Sequence, residues 1–315
     1  MKPFFFAHPL VVQAHPGRFG LGHSLLAWAR SFVWARDHSA PMLAPRWFQF
    51  RLGPYLRHEP DKRRYHLLFR MDGYIHGPAQ WAYMLAGERV EPADAFLPRP
   101  GRWPRIVEFR NDIRNNTRFF RDIVGRHQEV GQELWRITRE EHQPGTVEPF
   151  LGLHVRHGDF AAVSDEHAVS QGSNVRLPVR WFAEMLTGVR ERLGWNMPAR
   201  LFSDGDPASL RELLDLPAVV LCPMRSAIHD MLLLSKAALI IGSGSGFTMW
   251  AAYLGQAPRI CYPGQSRERL LCDTSGELEP ECLTAREIPP EVIASISRNR
   301  SLGRPATPLT AERLG

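Results

Sequence analysis

The sequence predicts an α/β protein with a doubly wound parallel sheet in its C-terminal half. Short apolar runs recur after residue 149, and amphipathic stretches of helical length separate them. Strands that alternate with helices are typical of βαβ units, whose right-handed crossovers cover both faces of a parallel sheet. The chain has 315 residues, of which 44% are hydrophobic, and this is enough for two domains of ordinary size.

The predicted elements are most regular in the C-terminal half. Its predicted strands and helices alternate along the chain, with strands at 150–156, 199–204, 218–223, 238–243 and 258–263 and helices at 178–193, 207–216, 227–237 and 246–255. The N-terminal half is less regular, with predicted strands at 4–13, 63–71 and 105–110, helices at 23–38 and 119–142, and a proline-rich surface loop at 91–104.

A break in the pattern near EHQPGTVEP (141–149) separates the two halves. We therefore expect an N-terminal α/β domain over 1–148, a C-terminal Rossmann-like domain over 149–300 and a loosely held tail over 301–315. A ligand cleft is expected between the two domains.

Composition excludes several classes of function. The net charge of +6 comes almost entirely from arginine and is spread along the chain, so nucleic-acid binding is not expected. No apolar run reaches 18 residues, so no transmembrane helix is predicted. The four cysteines form no CxxC pair, which argues against a zinc cluster and fits a reducing, cytoplasmic location. Peripheral contact with the inner membrane stays open.

Polar residues collect just after the predicted strands. Arg156 follows the first, Asp204 and Asp206 follow the second, and GSGSG (242–246) follows the fourth and opens a helix. Such an opening presents backbone N–H groups and the helix dipole to an anion, and an arginine clamps a phosphate through two hydrogen bonds. A carboxylate can accept hydrogen bonds from guanine or ribose, and the Asp204/Asp206 pair could hold Mg²⁺. These residues predict a site for a nucleoside diphosphate; a Walker lysine is absent.

Each residue also has a purely structural interpretation. Asp206 could be an ordinary helix N-cap, GSGSG a tight turn, and His154 a hydrogen-bonded core histidine. The functional interpretation is favoured because all these residues end at the same edge of one predicted sheet.

Four segments resemble, in order, the motifs of fucosyltransferases that use GDP-fucose, in their α-1,2 and α-1,6 branches. LGLHVRHGDF resembles the H-x-R-R-x-D motif, and FSDGDPASL resembles a strand that ends in Ser/Thr-Asp-Asp. DMLLLSKAALIIGSGSGFTMWAAYLG resembles the third motif, and GLGHSLLAWA (20–29) resembles an N-terminal glycine turn. The matches span about residues 17 to 265.

This resemblance implies a GT-B fold, in which two Rossmann-like domains face a cleft and the C-terminal one binds the donor. It implies an inverting, metal-independent transfer of fucose from GDP-fucose to a hydroxyl of a glycan acceptor. The resemblance also implies that the donor is needed without a further cofactor and that the setting is polysaccharide biosynthesis. Arg156 then holds the diphosphate, and His157 stands where the family often has a second arginine. The remaining donor contacts implied are His154, Asp204, Asp206, Ser243, Ser245, Gly246, Gly20, Gly22 and His23.

The acceptor proton needs a base, and the candidates lie just past the first motif. The resemblance favours Glu166 over Asp165 and Asp159, and Asp159 can instead orient Arg156. Acceptor sugars could stack on exposed tryptophans, although core positions are the more ordinary role; the tryptophans considered are Trp28, Trp34, Trp47 and Trp81.

Two other functions remain as alternatives. The first is a non-catalytic nucleotide-sugar-binding module of a glycan assembly system, which the histidine at position 157 favours. The second is an NAD-dependent oxidoreductase, suggested by GRFGLG (17–22). That stretch fits G-x-x-G-x-G rather than the dinucleotide fingerprint, and no acidic residue follows about twenty residues later at a strand end.

Overall fold

The α/β class is confirmed, and both sheets that organise the protein are parallel. The computed structural model describes residues 6–16, 20–47, 64–98, 103–110, 119–157, 161–162 and 175–301. The chain divides between Glu141 and His142 into two compact units, each with its own parallel sheet.

The N-terminal unit is built on a three-stranded sheet in the order β1-β3-β2. Every pairing in it is parallel, with Gln13 opposite Glu108 and His15 opposite Arg110. Its strands are β1 (Leu10–His15), β2 (Glu88–Val90) and β3 (Arg105–Arg110), and its helices are α1 (Leu21–Asp37), α2 (Gly77–Ala86) and α3 (His127–Ile137). Short 3₁₀ turns lie at Tyr65–Leu67, Pro92–Asp94 and Glu140–His142.

Several elements of this unit differ from the sequence prediction, and α2 (Gly77–Ala86) and β2 (Glu88–Val90) were not predicted. The strand predicted at 63–71 is wrong: its described part holds the Tyr65–Leu67 turn and a single bridge from Phe69 to Thr138. Leu68 and Phe69 are both buried, so the consecutive apolar residues of this segment resemble a strand that is buried on both faces. The helix predicted over 119–142 is confined to His127–Ile137, because Gly125 adopts a left-handed φ of +85° just before it.

The predicted strands of the C-terminal half are confirmed. They are β4 (Leu151–Val155), β7 (Ala199–Ser203), β8 (Val219–Leu221), β9 (Leu239–Gly242) and β10 (Arg259–Cys261), while β5 (Ala161–Ala162) and β6 (Val175–Arg176) form a separate pair. The helices are α4 (Val179–Leu193), α5 (Arg211–Leu214), α6 (Ala227–Leu234), α7 (Gly246–Gly255) and α8 (Pro290–Ser301). The helix predicted over 207–216 is a 3₁₀ turn, Pro207–Leu210, that continues into α5.

The strand order of this second sheet is β10-β9-β4-β7-β8. The first strand of this sheet in the chain is β4. It pairs with the second strand, β7, on one side and with the fourth strand, β9, on the other. The point where the order reverses, between β4 and β9, is the topological switch point of a doubly wound fold. Both strands are buried throughout, as a parallel sheet covered on both faces requires. Leu153 faces the core that α4 covers, and Gly152 faces Leu234 of α6.

Two of the four tryptophans considered above belong to the core. Trp28 and Trp47 are buried, whereas Trp81 lies exposed on α2 with the Arg46 guanidinium 5.3 Å from its ring centroid. Within the described ranges, no helix has the length and apolarity needed to cross a bilayer.

Candidate functional site

The candidate site lies at the switch point of the C-terminal sheet. His154 of β4 pairs with Gly242 of β9 on one side and with Phe202 of β7 on the other. Both strands end at this level, so Arg156 and the bend 243–246 emerge from neighbouring strands at the same edge. In open α/β sheets this crevice binds the ligand, because the loops on either side of it diverge to opposite faces.

His154 joins β4 to the start of α7. Its Nδ1 lies 2.7 Å from the Thr248 hydroxyl and 3.3 Å from the Ser245 hydroxyl, and its ring stacks on Phe247. Burial and the nearby positive charge of Arg156 lower the pKa of His154 to about 4. His154 is therefore a neutral, hydrogen-bonded histidine at this edge of the sheet.

The buried neutral state of His154 predicts a pH-dependent stability. Its pKa is about 4 in the folded chain and about 6.5 when unfolded, so between these values only the unfolded chain binds the proton. Stability is then lost as the pH falls from about 6.5 to about 4, by up to about 3 kcal/mol from this group. Urea unfolding of the wild type and of His154→Gln at several pH values checks this. The variant is expected to show the shallower decline, and equal declines contradict the prediction.

Arg156 lies at the carboxyl edge of the sheet, next to an acid that follows the neighbouring strand β7. Its Nε lies 4.0 Å from Oδ2 of Asp204, and its side chain keeps 32% of its surface exposed. The other carboxylate oxygen of Asp204 accepts a hydrogen bond from the His157 backbone N–H at 2.8 Å. Asp204 thus orients the strand end that carries Arg156 and leaves the guanidinium accessible to a ligand.

His157 packs into the turn after β7. Its Nδ1 lies 3.2 Å from the Ser209 hydroxyl, and its ring lies so close to Gly205 that a Cβ there would come within 2.9 Å of the His157 Cβ. Burial, followed by the charge of Arg176, lowers the pKa of His157, so the ring is neutral near pH 7. His157 therefore does not replace the positive charge of a second arginine.

Asp206 adopts the structural role foreseen as the alternative. Its carboxylate accepts from the Ala208 backbone N–H at 3.0 Å and caps the Pro207–Leu210 turn. Of the two acids in SDGD, Asp204 is thus the one turned toward Arg156. In the described ranges, no group of three or more His, Cys, Asp and Glu side chains is arranged to hold a metal ion.

The bend after β9 forms the N-terminus of α7. Ser245 is the N-cap, with its hydroxyl accepting from the Thr248 N–H at 3.3 Å. The Gly244 N–H donates to Oε1 of Gln265 at 3.2 Å, which fixes the bend from behind. The Ser243 hydroxyl is buried and has no hydrogen-bonding partner among the described residues. The bend therefore offers a helix N-terminus and an uncommitted hydroxyl at the switch point.

The two glycines of this bend differ in their surroundings, which gives a matched pair of substitutions. A Cβ on Gly244 would lie 2.4 Å from the Gln265 carbonyl oxygen, whereas one on Gly246 meets nothing within 4 Å. Gly244→Ala is expected to destabilise the fold by about 1–3 kcal/mol because backbone must move. Gly246→Ala is expected to change the free energy of unfolding by less than about 1 kcal/mol. Equal unfolding midpoints in urea for the two variants contradict this.

Asp230 is a residue of this edge that the sequence analysis did not select. It lies in the first turn of α6, which begins just after β8, and accepts weakly from the Arg225 N–H at 3.4 Å. Burial raises its pKa to about 6. A half-buried carboxyl with few hydrogen bonds is suited to a ligand that donates them. The sequence signal that could have identified Asp230 is its position as the first residue of DMLLLSKA, the start of the third motif.

The residues predicted in the N-terminal unit lie after β1. Gly20 is the N-cap of α1 with extended backbone and without a side-chain cap, and His23 packs edge-on against Phe119. Gly22 is in the first turn of the same helix. Asp159, Asp165 and Glu166 lie outside the described residues, so their roles stay predictions.

Comparisons with known proteins give structural matches only. No family model and no curated protein matches the chain. The fucosyltransferase NodZ from Bradyrhizobium is similar at 18% identity and a TM-score of 0.43, covering 84% of this chain and 98% of its own. NodZ α-1,6-fucosyltransferase co-crystallised with GDP is similar at 18% identity and a TM-score of 0.40, covering 82% and 96%. POFUT1 in complex with GDP is similar at 12% identity and a TM-score of 0.40, covering 80% and 97%.

Proposed function

We propose that this chain is a glycosyltransferase that moves fucose from GDP-fucose to a hydroxyl group of a glycan. The proposal is supported by the pairing of β4 with β9, because Arg156 follows the first of these strands and the N-terminus of α7 follows the second. A partly exposed guanidinium and a helix N-terminus that follow neighbouring strands suit two linked phosphoryl groups. Fucose as the sugar comes from the motif resemblance described above.

The transfer needs stabilisation of the charge that develops on the departing diphosphate. Arg156, oriented by Asp204, supplies a fixed positive charge, and the bend at Ser245 and Gly246 supplies N–H donors aligned with the helix dipole. Neutral His154 links the end of β4 to the start of α7 through a hydrogen bond, and it adds no charge of its own. The acceptor hydroxyl then attacks the anomeric carbon from the face opposite GDP, which inverts the configuration, and Glu166 or Asp159 takes its proton.

Recognition of the base is assigned to carboxylates at the same edge. Guanine presents an N–H and an amino group side by side, and a single carboxylate can accept from both. Asp230 is the first candidate because burial keeps its carboxyl poorly solvated, and Asp204 and Asp206 are the others. A pyrimidine such as uracil lacks the adjacent amino donor, so this arrangement favours GDP over UDP.

A thermal-shift panel with GDP, UDP, CDP and NAD tests the nucleotide, and GDP-fucose with a glycan panel tests transfer. We expect the unfolding midpoint to rise with GDP and GDP-fucose alone among these ligands. Asp230→Asn is expected to reduce the GDP shift, whereas Asp215→Asn, an exposed aspartate after α5, is the matched control. An unchanged midpoint with GDP and GDP-fucose contradicts the proposal.

A non-catalytic nucleotide-sugar-binding module is the second candidate. The neutral, packed state of His157 favours it, because the diphosphate then faces one cationic side chain from this motif instead of two. This candidate predicts GDP binding without release of fucose from GDP-fucose and without transfer to any acceptor. Slow hydrolysis of GDP-fucose by the purified chain, lost in Arg156→Ala, decides for the enzyme. A cytoplasmic site of action in polysaccharide biosynthesis is part of the proposal.

A further inference from the structure

A second polar cluster lies at the carboxyl edge of the N-terminal sheet. At its centre is the carboxylate of Glu108 on β3, which is 4% exposed. Its Oε1 lies 3.0 Å from Nε2 of His15 and 3.0 Å from Nε of Arg89, and its Oε2 accepts from Arg110 at 2.7 Å. These four residues are called the Glu108 cluster below.

The register of the sheet brings the Glu108 cluster together on one face. Gln13 is opposite Glu108, His15 is opposite Arg110, and Arg89 is opposite Ile106. Since alternate residues of a strand share a face, all four members lie on the face that also carries Ile106. His15 and Arg110 are the last residues of their strands, so the cluster is at the edge where parallel sheets bind ligands.

The cluster holds more positive charge than its own carboxylate neutralises. Two guanidinium groups and an imidazole surround one carboxylate, which leaves a surplus of at least one positive charge among the four. Arg89 is 51% exposed and Arg110 is 65% exposed, so parts of both guanidinium groups reach the surface. A single guanidinium would compensate the charge of the buried carboxylate, so neutralising Glu108 does not by itself require two arginines and a histidine.

The buried carboxylate prepares the two arginines to bind an anion. Each guanidinium has five N–H donors, and the contacts with Glu108 use few of them. Anchoring both side chains in advance reduces the entropy that a ligand must remove on binding. The amide of Gln13, fully buried on the same face, has no partner among the described residues, so polar groups continue beneath the cluster.

We propose that Arg89, Arg110 and His15, held on Glu108, form a binding site for an anionic group carried by a saccharide. Planar guanidinium groups match the oxygen pairs of carboxylates and phosphate esters. The saccharide rests on the proposed function, under which this site selects an acidic acceptor glycan, with a uronic acid or a sugar phosphate as its recognised unit. The residues of the Glu108 cluster belong to the N-terminal unit, and Arg156 belongs to the C-terminal unit.

Ligand-observed NMR on the full chain tests this proposal with D-glucuronate, glucose 1-phosphate and neutral D-glucose. We expect saturation transfer to the two acidic sugars and none to glucose. Whichever acidic sugar displaces the other at lower concentration identifies the preferred anion. Arg89→Gln/Arg110→Gln is expected to weaken the Kd at least tenfold, about 1.4 kcal/mol. Arg121→Gln, an equally exposed arginine paired with Asp122 in the same unit, is expected to leave the Kd unchanged.

Two further arms separate this site from the donor site. Arg156→Ala is expected to retain glucuronate binding, and the double variant is expected to retain the GDP thermal shift. Loss of glucuronate binding in Arg156→Ala, equal binding of glucose, or equal affinity in the folded double variant overturns the proposal. Arg110→Gln alone replaces the double variant if circular dichroism shows that the latter is unfolded. Absence of a GDP shift alongside selective glucuronate binding rejects the proposed function only.

Discussion

Replacing Arg156 with alanine is expected to lower kcat/KM for fucose transfer by about 10²–10³-fold. Removal of one preorganised group that stabilises charge in a transition state has costs of this size. Arg156 is suited to that role because Asp204 holds it from one side while a third of its side chain stays exposed. Release of GDP from GDP-fucose in the presence of a glycan acceptor measures the loss, and the GDP thermal shift is expected to shrink in parallel.

Two control variants make this result specific. Arg156→Lys keeps the charge but loses the bidentate geometry, so we expect an intermediate loss of activity. Arg286→Ala removes an exposed arginine of the same unit and is expected to keep wild-type activity. A folded Arg156→Ala variant with more than about a tenth of wild-type activity contradicts the role assigned to this guanidinium.

Replacing Arg259 with alanine is expected to destabilise the protein by about 3–5 kcal/mol. Arg259 is fully buried on β10, and its Nε lies 2.8 Å from Oε1 of Glu279. That carboxylate also accepts from the backbone N–H groups of Leu270 and Leu271, at 2.9 and 3.1 Å. Removing the guanidinium leaves a buried, uncompensated negative charge. Urea unfolding measures the loss, which is a large fraction of the stability of a typical domain.

The same ion pair also supports the candidate site. It fastens the segment after β10, which carries the Gln265 side chain that bonds to Gly244. A folded Arg259→Ala variant is therefore expected to show a smaller GDP thermal shift as well. Arg269→Ala, an exposed arginine in the same segment that bonds to the Gly276 carbonyl, is the matched control with less than about 1 kcal/mol of loss. Arg259→Met/Glu279→Leu is expected to lose less than Arg259→Ala, and the reverse order contradicts the argument.

The sequence by itself determined which segments become strands and which polar residues come after each strand. Apolar runs bounded by turn residues locate the strands of the C-terminal sheet because a parallel strand must be apolar on both faces. The glycine–serine bend predicts a helix start because only small residues allow the backbone to approach there, and Gly244 shows this directly. At 63–71 the same logic failed, since consecutive buried residues in a turn imitate an apolar strand.

Only the tertiary structure decided which strand ends meet and how their side chains ionise. His154 and Gly242 are far apart in the chain, and the strand order makes them neighbours, so the strand that precedes Arg156 pairs with the strand that precedes the bend. The structure also distinguishes the two acids of SDGD. Asp204 lies next to Arg156, whereas Asp206 caps the following turn. Burial sets the neutral state of His154 and raises the pKa of Asp230. These properties depend on desolvation and on packing between segments that are distant in the chain. A local sequence pattern therefore cannot predict them.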